Sequence, residues 1–271
     1  MGTVRHYHHH YHFTYNTSLK RHVSSLLTVL FITLFLLLFV FHFVTPQTGV
    51  TVSQIKVGDI ISAALNSLFR MLVSYAIAIF LSVPLSLLIT ASEKAERVFL
   101  PIFDIVQSVP VLAFFPVIIL TFVKFSFLDG AAIFILVVAM MGSLVFSMIG
   151  GLKTIPQDIY SVAKVFGITG RKKLFSILLP AILPNIISGS LLAWSQGWSI
   201  MIVAESLHPY IPGGNPSNDL FGLGSLLVNS FAASKNGIFL AALATMIIVI
   251  SVMNYFIWQK LLHYAERFKF D

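Results

Sequence analysis

Long uncharged apolar runs are the feature that most constrains how this chain can fold. Apolar residues make up 57% of its 271 residues, and charged residues make up only 10%. The mean hydropathy is +0.91. A hydrocarbon core about 30 Å thick is crossed by about 20 helical residues. Because several apolar runs reach that length, the sequence predicts an all-α polytopic membrane protein in the cell (inner or plasma) membrane, in contact with lipid.

Six of these runs are interpreted as transmembrane helices. Their approximate bounds are 24–44, 68–90, 99–123, 131–152, 185–207 and 238–262. The first run is longer than the 7–15 apolar residues of a signal peptide, so we expect it to be retained. The chain is then divided into a His-rich cytoplasmic tail (1–22), a first helix with its outer loop (23–58), a core domain (59–262) and a cytoplasmic tail (263–271).

The distribution of basic residues predicts the orientation of these helices. Of the 17 Lys and Arg residues, 13 lie at the two ends, in the turn 93–97 and in the polar loop 153–180. Cytoplasmic loops carry the Lys and Arg excess of membrane proteins. Both termini and the polar loop are therefore predicted to be cytoplasmic, and the Gly/Pro-rich loop 208–236 to face outward. The net charge of +7 is explained by the basic residues of these predicted cytoplasmic segments, so no nucleic-acid partner is expected.

The polar loop 153–180, between the fourth and fifth helices, is predicted to form a helix–glycine–helix hairpin, called the polar hairpin below. Pro156 is placed to begin its first helix and Gly167 to end it. A second short helix is expected to run to Leu179, where Pro180 stops it.

The first helix of the polar hairpin has an apolar stripe. Ile159, Val162, Ala163 and Phe166 have the spacing of one helical face. An apolar face on a hairpin in water is typical of a surface that binds a partner's groove. The alternative is an amphipathic loop that lies on the lipid surface.

The hairpin resembles the signature of binding-protein-dependent ABC transporter permeases. That signature is Glu-Ala-Ala, three residues, Gly, nine residues, then Ile-x-Leu-Pro. The matching residues are Ala163, Gly167, Ile177, Leu179 and Pro180. Ser161 and Val162 replace the first Glu and Ala, which removes the ion pair that this Glu would make. The resemblance implies that the hairpin docks on cytoplasmic ATPase subunits, which bind ATP and Mg²⁺, so no cofactor is expected in this chain.

Other segments are similar to the nitrate/sulfonate/taurine branch of these permeases. They are the proline pattern of 107–116, Ala204-Glu205 and Gly222-Leu223-Gly224. This resemblance implies a small anion as cargo, a second permease subunit that is identical or homologous, and an extracytoplasmic solute-binding protein.

Neither nucleotide hydrolysis nor catalysis is expected from the residues themselves. The segment 150–154 contains two glycines, a lysine and a threonine, but it lacks the phosphate-loop spacing. Histidines cluster between His6 and His12 without the fixed spacing of a metal site. No nucleophile–base set occurs, so the chain is predicted not to be an enzyme.

Polar residues within the apolar runs are candidates for the translocation path, because charged groups in the membrane interior are costly. The candidates are Arg70, Gln107, Ser108, Pro110, Ser195, Gln196 and Glu205. Glu205 is expected either to orient a gate or to snorkel to water or pair with Arg70. Arg70 is expected either to attract an anion or to anchor the outer interface. Pro110 is expected to bend the third helix.

Three other functions stay open from the sequence alone. The first is a permease of the same type for another solute, such as an amino acid or a metal. The second is an ion-coupled secondary carrier, which midplane acid–base residues and a repeated half would favour. The third is an intramembrane enzyme, which requires a convergent catalytic set.

Overall fold

The computed structural model describes residues 57–268, together with residues 30, 31, 33–35 and 38. The predicted N-terminal tail and most of the predicted helix 24–44 lie outside the described residues. Thr33 is described, and its hydroxyl is 2.6 Å from the hydroxyl of Ser251. Thr33 of the predicted first helix therefore contacts the helix Asn236–Met253.

The described part of the chain is helical and contains no strand. Eleven α-helices are labelled in chain order over residues 57–268. They are α1 (Val57–Ile89), α2 (Glu93–Ser108), α3 (Phe115–Lys124), α4 (Leu128–Lys153), α5 (Gln157–Val165), α6 (Gly170–Lys173), α7 (Leu179–Ala181), α8 (Leu183–Glu205), α9 (Leu223–Ala232), α10 (Asn236–Met253) and α11 (Gln259–Ala265).

Four helical stretches among the described residues are long and apolar enough to cross a membrane. They are α1, α4, α8 and the continuous stretch Asn236–Phe268, which includes α10 and α11. α1 begins eleven residues before the predicted position, at Val57. The number rises to five if α2 and the following helical segment form one bent span.

The single third helix predicted over 99–123 is wrong, because the chain breaks there. α2 and the segment Val111–Lys124 meet at an angle of 73°. Val109, which precedes Pro110, has the extended conformation that a following proline favours. Pro110 also has no N–H to continue the helical hydrogen bonds. The predicted bend at Pro110 is therefore a complete break between two helices.

The core of the bundle is the contact between α4 and α8. A Cβ atom added to Gly189 of α8 would lie 2.6 Å from Cβ of Ser147 on α4. One added to Gly151 of α4 would lie 2.7 Å from Cγ of Asn185 on α8. Small residues at both levels let the two backbones approach closely, which is how helices associate in a membrane.

The polar hairpin begins as predicted and ends differently. α5 starts after Pro156, and Gly167 has the positive φ of +62° that ends it. Pro180 does not stop the second arm, which continues to Ala181. The backbone N–H of Leu179 donates to the carbonyl of Leu174, which is the wider π-helical pattern. This wider turn just before Pro180 accommodates the proline ring.

The loop predicted over 208–236 contains a helix that the sequence analysis missed. α9 occupies Leu223–Ala232, between the end of α8 and α10. Its N-terminus is capped from outside its own segment, because Leu223 N–H donates to the Ser67 hydroxyl at 2.9 Å and Gly224 N–H donates to Glu205 Oε2 at 2.8 Å.

An ion-pair network holds this cap in place. Nη1 of Arg70 on α1 donates to Oε1 of Glu205 on α8 at 2.8 Å, and Nε of Arg70 donates to Oδ1 of Asp129 on α4 at 2.7 Å. Ser67 donates to the same Oε1 at 2.7 Å. Arg70 is 8% exposed and Glu205 is fully buried. The predicted pairing of these two residues is confirmed, and the snorkelling of Glu205 to water is wrong because its side chain is fully buried. The interface-anchor role of Arg70 stays a prediction.

We expect Glu205→Gln to destabilise the protein by about 3 kcal/mol, because it leaves the buried guanidinium of Arg70 without its buried counter-charge. The measurement is the midpoint of heat- or SDS-induced unfolding of the purified protein. Asp129→Asn is the matched control, and its half-exposed carboxylate should contribute about 1 kcal/mol or less. Equal losses in the two variants would contradict the assignment of Glu205 as the buried centre of the network.

Candidate translocation cleft and coupling surface

A small polar cleft of about 340 Å³ lies where the C-terminal end of α2 meets α4 and α8. Three polar side chains from these three helices line it: Gln107, Ser143 and Gln196. The Ser143 hydroxyl donates to Oε1 of Gln196 at 2.8 Å. A Cβ atom added to Gly142 would lie 2.6 Å from Oε1 of Gln107, so the glycine makes room for that side chain.

The chemistry of this cleft is polar and uncharged. None of the described residues that line it is Asp, Glu, Lys or Arg. The amide groups of Gln107 and Gln196 each carry two N–H donors, whereas the single hydroxyl hydrogen of Ser143 is already donated to Gln196. The remaining walls are apolar, and one of them is the Pro110 ring. Such a lining can hold a small oxyanion by hydrogen bonds without a permanent counter-charge.

The structure brings together only part of the predicted translocation path. Gln107, Pro110 and Gln196 line the cleft. The hydroxyls of Ser108 and Ser195 instead donate to carbonyls of their own helices, at 2.8 Å and 3.1 Å, and neither residue lines the cleft. Arg70 and Glu205 also lie outside it, where each is engaged by the other.

Among the cleft residues that the sequence analysis missed are the neighbours Gly142 and Ser143. Gly142 and Ser143 are adjacent within the otherwise apolar run of α4. A glycine followed by a polar residue inside a membrane helix was the available signal, because such positions lie against other helices or a cavity more often than against lipid.

The apolar stripe predicted on α5 is divided between two opposite environments. Ile159 packs against the core, and Ala163 is only 2% exposed. Val162, Val165 and Phe166 are 54%, 84% and 75% exposed. The prediction that Ile159 and Ala163 lie on the exposed face is therefore wrong, because that side of α5 packs onto the rest of the chain. The coupling surface is defined here as Val162, Val165 and Phe166.

The second arm of the hairpin is attached to the membrane bundle. Leu178 and Leu179 are partly buried against the core, and Ile177 and Pro180 are also partly buried. Ile177, Leu179 and Pro180 therefore position the hairpin and are not placed on its freely exposed face. The N-terminal end of α2 and the C-terminal end of α4 are joined as well, by an ion pair between Lys153 and Glu96.

A family model matches residues 82–263 of this chain, and its description is the inner membrane component of binding-protein-dependent transport systems. The match includes the hairpin, the cleft and Glu205. It covers more than half of the chain.

Several curated proteins are similar to the chain. The nitrate import permease protein NrtB of Leptolyngbya laminosa is 30% identical over 141 residues, which is 52% of this chain and 50% of that protein. The bicarbonate transport system permease protein CmpB of Synechocystis is 30% identical over 149 residues, or 55% and 52%. The taurine transport system permease protein TauC of Escherichia coli is 24% identical over 139 residues, or 51% and 50%. The matches span about half the length of these three relatives.

These findings confirm the resemblance on which the sequence analysis relied. The relatives are transport permeases of the nitrate, bicarbonate and taurine type, not enzymes, and the apolar helices agree with a multi-pass membrane location. The chain belongs to the family of inner membrane components of binding-protein-dependent transport systems, the ABC transporter permeases.

Proposed function

We propose that this chain is the permease subunit that forms the translocation path for a small anion, driven by a separate cytoplasmic ATPase. The observation that carries the proposal is the coupling surface. Val165 and Phe166 are 84% and 75% exposed on a hairpin that is otherwise rich in basic residues. Large apolar side chains grouped in this way mark an interaction site. ATP and Mg²⁺ would bind to the ATPase subunits.

The polar hairpin is connected directly to the proposed path. Its second arm ends at Ala181, and only Ile182 separates it from the first residue of α8. Gln196 of the cleft lies farther along α8, and Glu205 ends that helix. A displacement of the hairpin by the ATPase would therefore move one wall of the cleft. This movement would alternate access to the two sides of the membrane.

A second permease subunit, identical or homologous, would complete the path. The hydrogen bond between Ser143 and Gln196 is solvent-exposed in the single chain, so the cleft opens at the surface of the bundle. A subunit packed against this face would enclose the polar groups. An extracytoplasmic solute-binding protein would deliver the solute to the outer ends of the helices.

The cargo we propose is a small anion of the nitrate, bicarbonate or sulfonate class. The relatives named for nitrate, bicarbonate and taurine support this class. The uncharged donors of the cleft support it as well, because the amide groups of Gln107 and Gln196 can donate to oxyanion oxygens. A buried carboxylate in the cleft would have argued for a cation instead.

The proposed orientation retains six membrane crossings with both termini inside. The helix over 24–44 would be the first of them, and the broken pair α2–α3 would be the third. The basic residues of the polar hairpin support a cytoplasmic position for it, since positively charged loops stay on that side.

We expect Phe166→Ser to weaken co-purification of the ATPase with the permease at least about tenfold. Phe166 would become buried in the interface with the ATPase, and aromatic residues buried in this way dominate interface energies. Phe125→Ser is the matched control, since Phe125 is equally exposed at 75% but lies in the turn between α3 and α4. Quantitative affinity capture of the assembled transporter measures the effect. Retention of the ATPase by Phe166→Ser would contradict the coupling surface.

We expect Gln196→Leu to reduce anion uptake about tenfold in the assembled transporter, because a hydrogen bond to a charged group contributes about 1.5–3 kcal/mol. Subunit assembly should be unchanged. Ser199→Ala is the control, since its hydroxyl donates to the Ser195 carbonyl of the same helix at 3.1 Å. Uptake of labelled nitrate, bicarbonate and taurine into vesicles measures the effect. Normal uptake of all three by Gln196→Leu would remove the cleft from the proposed path.

The orientation can be measured with single cysteines, because the chain contains none of its own. A membrane-impermeant maleimide should label Ser217→Cys in intact cells and Lys172→Cys only after permeabilisation. Both positions are exposed, so access to the reagent depends on the side of the membrane. Labelling of both variants in intact cells would disprove the proposed topology.

A further inference from the structure

A second polar cavity, of about 590 Å³, lies where the membrane helices meet the polar hairpin. It is separate from the translocation cleft and shares no residue with it. The inner ends of α1 and α4 form one side, and both arms of the hairpin form the other. Its polar lining residues are Thr90, Lys153, Gln157, Tyr160 and Lys173. We call this cavity the basic pocket.

The basic pocket is suited to an anionic group. Two lysines line it, and none of the described lining residues is Asp or Glu. Nζ of Lys173 lies 4.7 Å from the centroid of the Tyr160 ring, and this cation–π contact places the ammonium group at the pocket. Burial raises the pKa of the Tyr160 phenol above its usual 10.0. The phenol is a hydrogen-bond donor at neutral pH. Lys153 has a partner outside the pocket lining, Glu96.

An apolar groove of about 980 Å³ adjoins the basic pocket. Leu87 lines both cavities. The second arm of the hairpin also contributes to both, because Lys173 faces the pocket while the next residue, Leu174, faces the groove. Phe80 and Phe175 of the groove are 75% and 65% exposed. The surface therefore changes from basic to apolar between the adjacent residues Lys173 and Leu174.

We propose that the basic pocket and the groove form one binding site for an anionic phospholipid. The headgroup phosphate would lie between Lys153 and Lys173, and an acyl chain would follow the groove along α1. Charge complementarity selects an anionic headgroup, and basic pockets at the cytoplasmic ends of membrane helices bind such headgroups. The proposal relies on the membrane orientation proposed above for its assignment to the cytoplasmic leaflet.

The site has a consequence for coupling. A lipid bound there contacts α1 on one side and the second hairpin arm on the other, and that arm continues into α8. The bound lipid would stabilise the arm in its position against the bundle. Anionic lipid would therefore change the energy needed to displace the hairpin.

The test is the thermal unfolding of the purified full chain with added phosphatidylglycerol, phosphatidylcholine or inorganic phosphate. We expect phosphatidylglycerol alone to raise the Tm by about 5 °C, since ligands that bind only the folded state stabilise it. Lys173→Gln should reduce this shift by at least half. Lys172→Gln is the matched control, because it removes the same charge from a neighbouring exposed lysine that lines neither cavity.

The groove is tested by a second pair of variants. Ala76→Trp should reduce the Tm shift caused by phosphatidylglycerol, because Ala76 lines the groove. Ile77→Trp is the control and should retain the shift, because Ile77 is exposed and does not line the groove. An equal response to phosphatidylcholine or to inorganic phosphate would overturn the proposal, as would equal losses in Lys172→Gln and Lys173→Gln. The assay needs neither ATPase nor transport, so its failure is distinguishable from failure of the proposed function.

Discussion

The close contact between α4 and α8 is the constraint on which the other parts of the structure depend. Lipid surrounds helices with tails as apolar as leucine, so helix association relies on close packing and not on burial from water. Gly189 faces Ser147, and Gly151 faces Asn185, so closely that a Cβ atom on either glycine would clash with the facing side chain. Seven residues beyond Gly189 on the same helix lies Gln196, which reaches Ser143 of α4. The candidate cleft is thus a product of the same contact that holds the bundle together.

The two walls of the cleft are held with different strength. The wall on α8 belongs to the tightly packed core, and the C-terminal end of α8 is held by the pair of Glu205 with Arg70. The wall on α2 carries Gln107, and α2 has no fully buried residue. The break at Pro110 separates α2 from α3 as well. Regions with few buried contacts open at lower free energy than the core, so α2 is the more loosely held of the two walls, and a movement of α8 with the hairpin would change the distance between them.

The sequence predicted the features that follow from apolar length and from local backbone chemistry. The spans α1, α4, α8 and α10–α11 follow from hydropathy, and the bounds of α5 follow from Pro156 and Gly167. It could not predict which residues of the apolar stripe on α5 are covered, because their burial depends on how α5 packs against the rest of the bundle. Ala163 is buried and Val165 is exposed, although each is a small apolar residue. α9 was missed for a similar reason, since its N-terminus is capped by Ser67 and Glu205, which are distant in sequence.

The described residues that line the cleft are uncharged. Such a lining is consistent with a path that releases its solute and not with a site that retains it. A permeating ion must bind well enough to enter and weakly enough to leave. An unpaired arginine in a low-dielectric cleft would hold an anion too firmly to release it, because the attraction between charges grows as the dielectric constant falls. Arg70 is the charged residue among the predicted path candidates that could do this, and its guanidinium is engaged by Asp129 and Glu205. Under the proposed function, the neutral amide donors of the cleft would leave solute selection to the solute-binding protein that delivers the anion.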